Sequence, residues 1–313
     1  MSAWTAGVVT SADGTVIGHR RYGGAGPAVI LVHGGGQAAA HLDRLAADLA
    51  GDFTVYVPDR RGRGASGPPG DGYGAATERA DLAALMDHTG AGLLFGMSSG
   101  GLIVLDAARH LPGLRAVAVF EPPLSIDGST PLGWVARYEQ ELAAGDVAAA
   151  ALTVMRGTRT GGPLLRLVPR RLVSRALAAA TPGATPAATG PRSGRHRILR
   201  LLLWPLRRVN RRRAPVTPGA VSLRDLVATM RYDARLVAES EGTIEAYRGL
   251  TVPVLLLGGG RSPRYLRRTL RRLAGVLPDA TLSVRRAVGH AAPDDGAELR
   301  RFFQRQFVQS RSK

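Results

Sequence analysis

Five residues, Gly96-Met97-Ser98-Ser99-Gly100, constrain this 313-residue chain more than any others. They match G-x-S-x-G and lie between a short apolar run, Leu93-Leu94-Phe95, and a helical stretch, Gly101 to Arg109. A serine at such a strand-to-helix turn has a strained backbone, and the helix that follows passes close to the strand, so its neighbours must be small. Gly96 and Gly100 supply that room. The turn lifts the Ser98 hydroxyl out of a sheet and aims it outward. Taken alone, the pentapeptide also suits a glycine-rich turn with a capping serine; two further segments, far away in the chain, give it meaning.

The first is Val29-Ile30-Leu31-Val32-His33-Gly34-Gly35-Gly36, an apolar strand running into His-Gly-Gly-Gly. Glycines at a strand's end let backbone N–H groups face a cavity, where they stabilise an oxyanion together with the N–H of the residue after the nucleophile, here Ser99. Gly35 is the first choice for the loop donor and Gly36 the second. The second segment is Val288-Gly289-His290, between a strand at Thr281 to Arg285 and a terminal helix at Pro293 to Val308. A base for a serine must titrate near neutrality, which histidine does. Of seven histidines, His290 lies on a glycine-marked turn after the last predicted strand. His19, His41, His88, His110 and His196 lie in solvated or helical stretches and read as structural; His33 reads as a loop-shaping residue.

These segments occur in the chain order of the α/β-hydrolase superfamily, which the sequence resembles over nearly its whole length. Val57-Pro58-Asp59-Arg60-Arg61-Gly62-Arg63-Gly64-Ala65-Ser66-Gly67 is similar to the D-x-R-G-x-G-x-S loop after the fourth strand of many hydrolases and cofactor-free haloperoxidase-like enzymes. Asp59 and Arg61 are expected to stabilise that loop. The resemblance implies Ser98 as nucleophile, His290 as base, and Gly35 and Ser99 as oxyanion donors. It implies no substrate, because this fold hosts esterases, lactonases, thioesterases, lyases and dehalogenases.

The acid partner departs from the commonest pattern, in which an Asp follows the seventh strand. Here that strand, Val252 to Leu257, leads into Gly258-Gly259-Gly260-Arg261-Ser262-Pro263, and Ser262 occupies the place of the Asp. The sixth strand, Arg115 to Phe120, ends instead in Glu121-Pro122-Pro123. Some superfamily members carry the acid there, and a glutamate at a strand's C-terminal end is placed to orient an imidazole. Glu121 is the expected acid. Asp294 and Asp295 are the alternatives, although so close to His290 they suit a helix cap better. A serine nucleophile disfavours the Asp-based epoxide hydrolase and dehalogenase reactions. No metal or cofactor motif occurs: there is no H-E-x-x-H, no cysteine and no Walker lysine.

Apolar strands alternate with helices up to Phe120: a hairpin at Gly7–Thr10 and Thr15–Tyr22, a strand at Ala28–Val32, a helix at Ala40–Ala50, a strand at Phe53–Val57 and a helix at Ala75–Thr89. This predicts an α/β fold with a mainly parallel sheet of about eight strands and helices on both faces. Residues 1–123 and 248–313 form that core. Residues 124–247 form a helical cap inserted after the sixth strand, too long for a loop, with helices at Trp134–Ala144, Val147–Arg156, Leu164–Ala180 and Leu223–Ala246. The last of these contains Met230 to Glu241, which suits either a pocket wall or a packed helix. A Pro/Gly linker, 181–191, breaks the cap.

The net charge of +18 comes from 42 basic residues, of which Lys313 is the only lysine. Codon bias toward arginine explains part of this. Nine arginines interleaved with leucines and Trp204 fill 192–213, a composition that suits an anionic membrane surface or an acidic partner as well as a solvated helix. Arg264, Arg267, Arg268, Arg271 and Arg272 fall on one helix face, expected to be solvated. No nucleic-acid motif accompanies the charge. The N-terminus has no signal-peptide pattern and no stretch is long enough to span a membrane, so a cytoplasmic location is expected. The leading functional expectation is hydrolysis of a small-molecule ester, thioester or lactone. The alternatives are a cofactor-free lyase, cyclase or perhydrolase-like enzyme, and a non-catalytic protein using its basic cap for binding.

Overall fold

The computed structural model describes residues 4–24, 26–160, 169–170, 221–290 and 296–309. Eight strands form one sheet: β1 (Trp4–Thr10), β2 (Val16–Tyr22), β3 (Ala28–Val32), β4 (Thr54–Pro58), β5 (Leu93–Met97), β6 (Ala116–Phe120), β7 (Val254–Gly259) and β8 (Ala280–Arg285). Their order is β1-β2-β4-β3-β5-β6-β7-β8. β1 and β2 are an antiparallel hairpin, β2 is antiparallel to β4, and every other pairing is parallel. The central strands β5, β6 and β7 are buried at every position, which is why they read as continuous apolar runs.

Alternate residues of these strands feed two cores, one on each face. Leu94, Val117, Val119, Val254 and Leu256 pack with Leu102 and Ile103 of α3 (Ser99–His110) and Leu82 and Leu85 of α2 (Ala75–Thr89). Leu93, Phe95, Ala118, Phe120, Leu255 and Leu257 pack on the other face with Leu45 of α1 (Asp43–Leu49) and Phe302. The period of two in the strands thus builds helix-covered layers above and below. The chain winds outward from β3 to β4, then restarts at β5 on the other side of β3. That reversal leaves a crevice at the C-terminal ends of β3 and β5, where ligands of open α/β sheets bind. The loops from His33 and Ser98 both open there.

Between β6 and β7 the described chain is helical: α4 (Val135–Ala143), α5 (Val147–Gly157), α6 (Leu223–Ala228) and α7 (Met230–Glu239). These helices share a cluster of their own, with Trp134, Tyr138, Ala151, Val154, Val227 and Ala234, and the Tyr138 hydroxyl donates to the Val227 carbonyl at 2.6 Å. The sequence predicts one helix over Leu223–Ala246; it is instead two short helices and a 3-10 turn, Ile244–Gly249. The break falls at buried Thr229, whose hydroxyl donates to the Leu226 carbonyl and accepts from Arg63, and Gly242 then turns the chain with φ +72°. Likewise the helix expected at Ala40–Ala50 is a 3-10 turn, Ala39–Leu42, followed by α1. The linker 181–191, the arginine-rich 192–213 and the helix expected at Leu164–Ala180, apart from Pro169 and Arg170, lie outside the described residues. After β7 comes α8 (Arg264–Val276), with Arg264, Arg268, Arg271 and Arg272 exposed and Arg267 half-buried. The last helix, α9, spans Ala297–Gln309, and the expected start at Pro293 lies outside the described residues. Among the described residues no helix is long and apolar enough to cross a membrane.

The turn between β5 and α3 depends on missing side chains. A Cβ on Gly96 would lie 2.3 Å from the Gly100 carbonyl oxygen, and one on Gly100 would lie 2.4 Å from that of Val32 and 2.5 Å from that of His33. Backbone cannot retreat as a side chain can. Gly100→Ala is therefore expected to destabilise the fold by at least the ~1–3 kcal/mol of ordinary overpacking, visible as a clear drop in melting temperature. An unchanged melt would contradict the close approach.

Candidate active site

Ser98 stands at the turn with φ 53° and ψ −123°, a backbone conformation that a non-glycine residue holds only when its surroundings enforce it. Its own N–H donates to the Phe120 carbonyl at 2.8 Å and its carbonyl accepts from Gly101 N–H at 2.8 Å. The hydroxyl is left facing the crevice. His290 comes to meet it from the loop after β8, with Nε2 3.2 Å from Ser98 Oγ. On its other side, His290 Nδ1 lies 2.6 Å from Glu121 Oε2. A carboxylate accepts the Nδ1 proton, so the neutral ring presents unprotonated Nε2 to the serine. Ser98, Glu121 and His290, separated by up to 192 positions in sequence, thus form one chain of hydrogen bonds.

Glu121 is fully buried and also carries a left-handed backbone, φ 47°. Its N–H donates to Leu257 O at 3.0 Å, continuing the β6–β7 pairing, and its second oxygen accepts the Gly259 N–H at 2.7 Å. The glycines after β7 explain how a carboxylate from β6 fits here. A Cβ on Gly258 would lie 3.3 Å from Glu121 Oε1, and one on Gly259 would lie 2.3 Å from the Val288 carbonyl oxygen. The bare backbone lets both Glu121 and the His290 loop close in, while Ser262, at the position where the sequence pattern would put an acid, is buried. The ring of His290 stacks beside Phe120, centroids 6.2 Å apart. Asp294 and Asp295 lie outside the described residues.

Gly35, Gly36, Ser98, Ser99 and His290 line a single cavity of about 290 Å³. Ser99 opens α3, so its N–H belongs to the first turn, which has no acceptor within the helix. The Gly34 N–H is committed to Gln37 Oε1 at 2.9 Å, which leaves Gly35 and Gly36 as the amides of this loop to consider. The remaining wall is mostly apolar, with Leu132 and Trp134 from the segment leading into α4, Val154, Leu226 and Met230 from the inserted helices and Tyr265 from α8, beside Thr130, Thr158 and Thr160. The stretch Met230 to Glu241 serves both roles considered for it: Met230, Ala234 and Val237 face the cavity, whereas Asp233 is buried.

Asp233 belongs to a charged cluster that the sequence reading missed. Arg60 Nη1 donates to Asp233 Oδ1 at 2.8 Å and Arg63 Nη2 to Oδ2 at 2.7 Å. Arg60 also reaches Glu78 at 2.9 Å, the Tyr73 hydroxyl at 2.8 Å and Ser99 Oγ at 3.1 Å. Burial works to lower the Arg60 pKa, but Glu78, Tyr73 and Asp233 outweigh it and hold the pKa well above the usual value. Burial would raise the Asp233 carboxyl, yet Arg63 and Arg60 outweigh it and keep the group below the usual carboxylate range. No periodicity could reveal partners 170 residues apart. Within the same loop, Arg61 pairs with Asp81 and Asp13 at 2.6 Å, and Asp59 accepts the N–H groups of Ala39 and Ala65.

His33 is fully buried beneath this loop, its Nε2 accepting the Arg60 N–H at 3.1 Å. Burial, then Arg63 and Arg60, push its pKa well below 6.5. His19, which the sequence placed among solvated or helical stretches, is also buried, and burial followed by His88 lowers its pKa, whereas His41 is exposed. Neutral in the fold and protonated readily only on unfolding, His33 and His19 add stability above pH 6.5 that is lost as pH falls through that value toward their folded-state pKa. Asp233 acts in the same direction further down, and Asp81, raised by burial, acts in the opposite one. Unfolding free energy should therefore fall between about pH 7 and pH 5, and His33→Gln, which keeps an acceptor without a titrating ring, should flatten the decline. Denaturant melts across that range give the answer; a flat wild-type profile would contradict it.

Comparison with known proteins agrees with this architecture. Residues 27–297 match the family model described as alpha/beta hydrolase fold. Over 133 residues, 41% of this chain and 49% of the relative, the sequence is 38% identical to N-formylmaleamate deformylase of Pseudomonas putida; the chain spans about half the length of that curated relative and less of others it matches. An alpha/beta hydrolase from Sphaerobacter thermophilus superposes with a TM-score of 0.69 at 29% identity, covering 95% of this chain and all of the other. An esterase from a Rhodococcus species superposes at 0.61 and 24% identity, covering 99% of each, a likeness of fold. By the extent of the family match, backed by the sheet order and the serine turn, the chain belongs to the alpha/beta hydrolase fold family.

Proposed function

We propose that this protein is a serine hydrolase that cleaves an ester, thioester or lactone of a small, largely apolar molecule through an acyl-enzyme. The observation that carries the reading is His290, which bridges Ser98 Oγ at 3.2 Å and Glu121 at 2.6 Å beside the cavity. In this reading His290 takes the Ser98 proton as the oxygen attacks the carbonyl carbon, then returns it to the leaving group. Glu121 orients the ring and stabilises its cationic form. The N–H groups of Ser99 and Gly35 receive the negative charge that develops on the carbonyl oxygen. Water, deprotonated by the same imidazole, then releases the acyl group and restores Ser98.

The substrate class follows from the cavity. Among the described residues no Asp, Glu, Lys or Arg lines it, so a charged substrate would lose hydration without a partner. About 290 Å³ suits a small acyl or alcohol group. The inserted helices supply most of the apolar wall and so act as a substrate-selecting cap. The arginine-rich segment 192–213 belongs to the same insertion, and its composition supports peripheral contact with an anionic membrane or acidic partner.

Labelling with a fluorophosphonate probe, beside hydrolysis of short p-nitrophenyl esters, tests the reading. Wild type should label and turn over neutral esters; Ser98→Ala should abolish both. Glu121→Gln should stay folded and lose activity by up to the ~10⁴-fold that follows removal of an orienting carboxylate. A folded wild type that neither labels nor hydrolyses would refute hydrolysis. Near-normal activity in Glu121→Gln would refute the acid assignment.

A further inference from the structure

The buried Arg60–Arg63–Asp233 cluster lies against both segments that carry the proposed oxyanion donors. Asp233 comes from α7, within the insertion, and is only 4% exposed. Its Oδ1 accepts the Ser99 hydroxyl at 2.7 Å. Arg60 Nη1 donates to that same hydroxyl at 3.1 Å and to Asp233 Oδ1 at 2.8 Å, and it reaches the His33 carbonyl at 3.5 Å. The Ser99 side chain is thereby fixed as both donor and acceptor. On its other flank the carboxylate packs on Gly35: a Cβ there would lie 2.9 Å from Asp233 Cγ and 3.1 Å from Oδ2.

We propose that Asp233 is a positioning residue of the oxyanion site, holding the Ser99 and Gly35 backbones in register so that the inserted helix sets the geometry of bond cleavage. The proposal rests on the reading of the protein as a serine hydrolase with those two donors. The physical need is plain in the backbone. Ser98, with φ 53°, is in a conformation that persists only where neighbouring groups over-determine it. The Ser98–Ser99 peptide carries the amide that must point at a developing charge, and small displacements of such a donor sacrifice much of its effect. A clamp on the Ser99 hydroxyl restrains that peptide from one side, and the carboxylate filling the space over Gly35 restrains the facing loop. A group serving only to attach α7 would have no effect on the transition state.

Hydrolysis of p-nitrophenyl butyrate by wild type, Ser99→Ala, Asp233→Asn and the double variant tests this, together with inhibition by phenylboronic acid. The tetrahedral adduct of that inhibitor with Ser98 loads the oxyanion site. Ser99→Ala keeps the N–H and removes only the hydroxyl. Each single variant should lower kcat by about ten- to a hundredfold with KM within about threefold. Boronate affinity should fall in step with kcat/KM, and the double variant should be no worse than Asp233→Asn, because the Ser99 hydroxyl acts through its contact with Asp233. Wild-type kcat in Ser99→Ala, an effect confined to KM, unchanged boronate affinity, or additive losses would overturn the proposal. If Asp233→Asn fails to fold, Ser99→Ala decides by the same criteria. A wild type without Ser98-dependent turnover overturns the parent reading, and this one with it, whereas Ser98-dependent turnover that is indifferent to Ser99→Ala overturns the positioning role alone.

Discussion

The close passage of α3 over the ends of β3 and β5 is the constraint on which the rest depends. Gly96 and Gly100 let backbone meet backbone at distances no Cβ could share, and the strain of that turn is concentrated at Ser98. The surrounding parallel strands hold it: Ser98 N–H is bonded to β6 at Phe120 O, and the next residue, Glu121, is bonded to β7 at Leu257 O. The hydroxyl and the carboxylate are thus fixed by one continuous set of strand pairings. His290 needs only to enter between them. It does so on a loop tied to the β7 turn, where the Arg261 N–H donates to Val288 O at 3.0 Å.

Much of this was legible in sequence because it rests on local chemistry. The apolar runs of β5, β6 and β7 announce buried strands, and the glycines around Ser98 and after Val32 announce close approaches. Glu121 was legible for a subtler reason: the glycine run after β7 carries no carboxylate, and a glutamate ends the neighbouring strand. The structure brings Ser98, His290 and Glu121 together, and it puts Gly35 and Ser99 on one cavity. What escaped the sequence is non-local. Thr229 looks like an ordinary helix residue until Arg63 reaches it across the fold and its hydroxyl turns back on Leu226. Asp233 falls in a helical pattern, with nothing to mark that its partners lie in the loop after β4.

That cluster places paired charge directly behind an apolar pocket. Two arginines face two carboxylates, Asp233 and Glu78, with Tyr73 between. Buried ions are tolerable when each has partners, and here the partners come from the β4 loop, α2 and the insertion. The arrangement ties the inserted helices to the Ser98 turn while presenting no Asp, Glu, Lys or Arg to the cavity among the described residues. A chain carrying +18 overall thereby keeps its proposed reaction space suited to a neutral molecule.

The central claim is covalent: Ser98 carries the acyl group between attack and release. Rapid-quench intact-mass measurement during turnover of an activated ester tests it most directly, followed by fragmentation of the peptide that contains Ser98. The account predicts a mass increase equal to the acyl group, located on Ser98 and absent from Ser98→Ala. Turnover that proceeds without any adduct, or with the adduct on another residue, would contradict it.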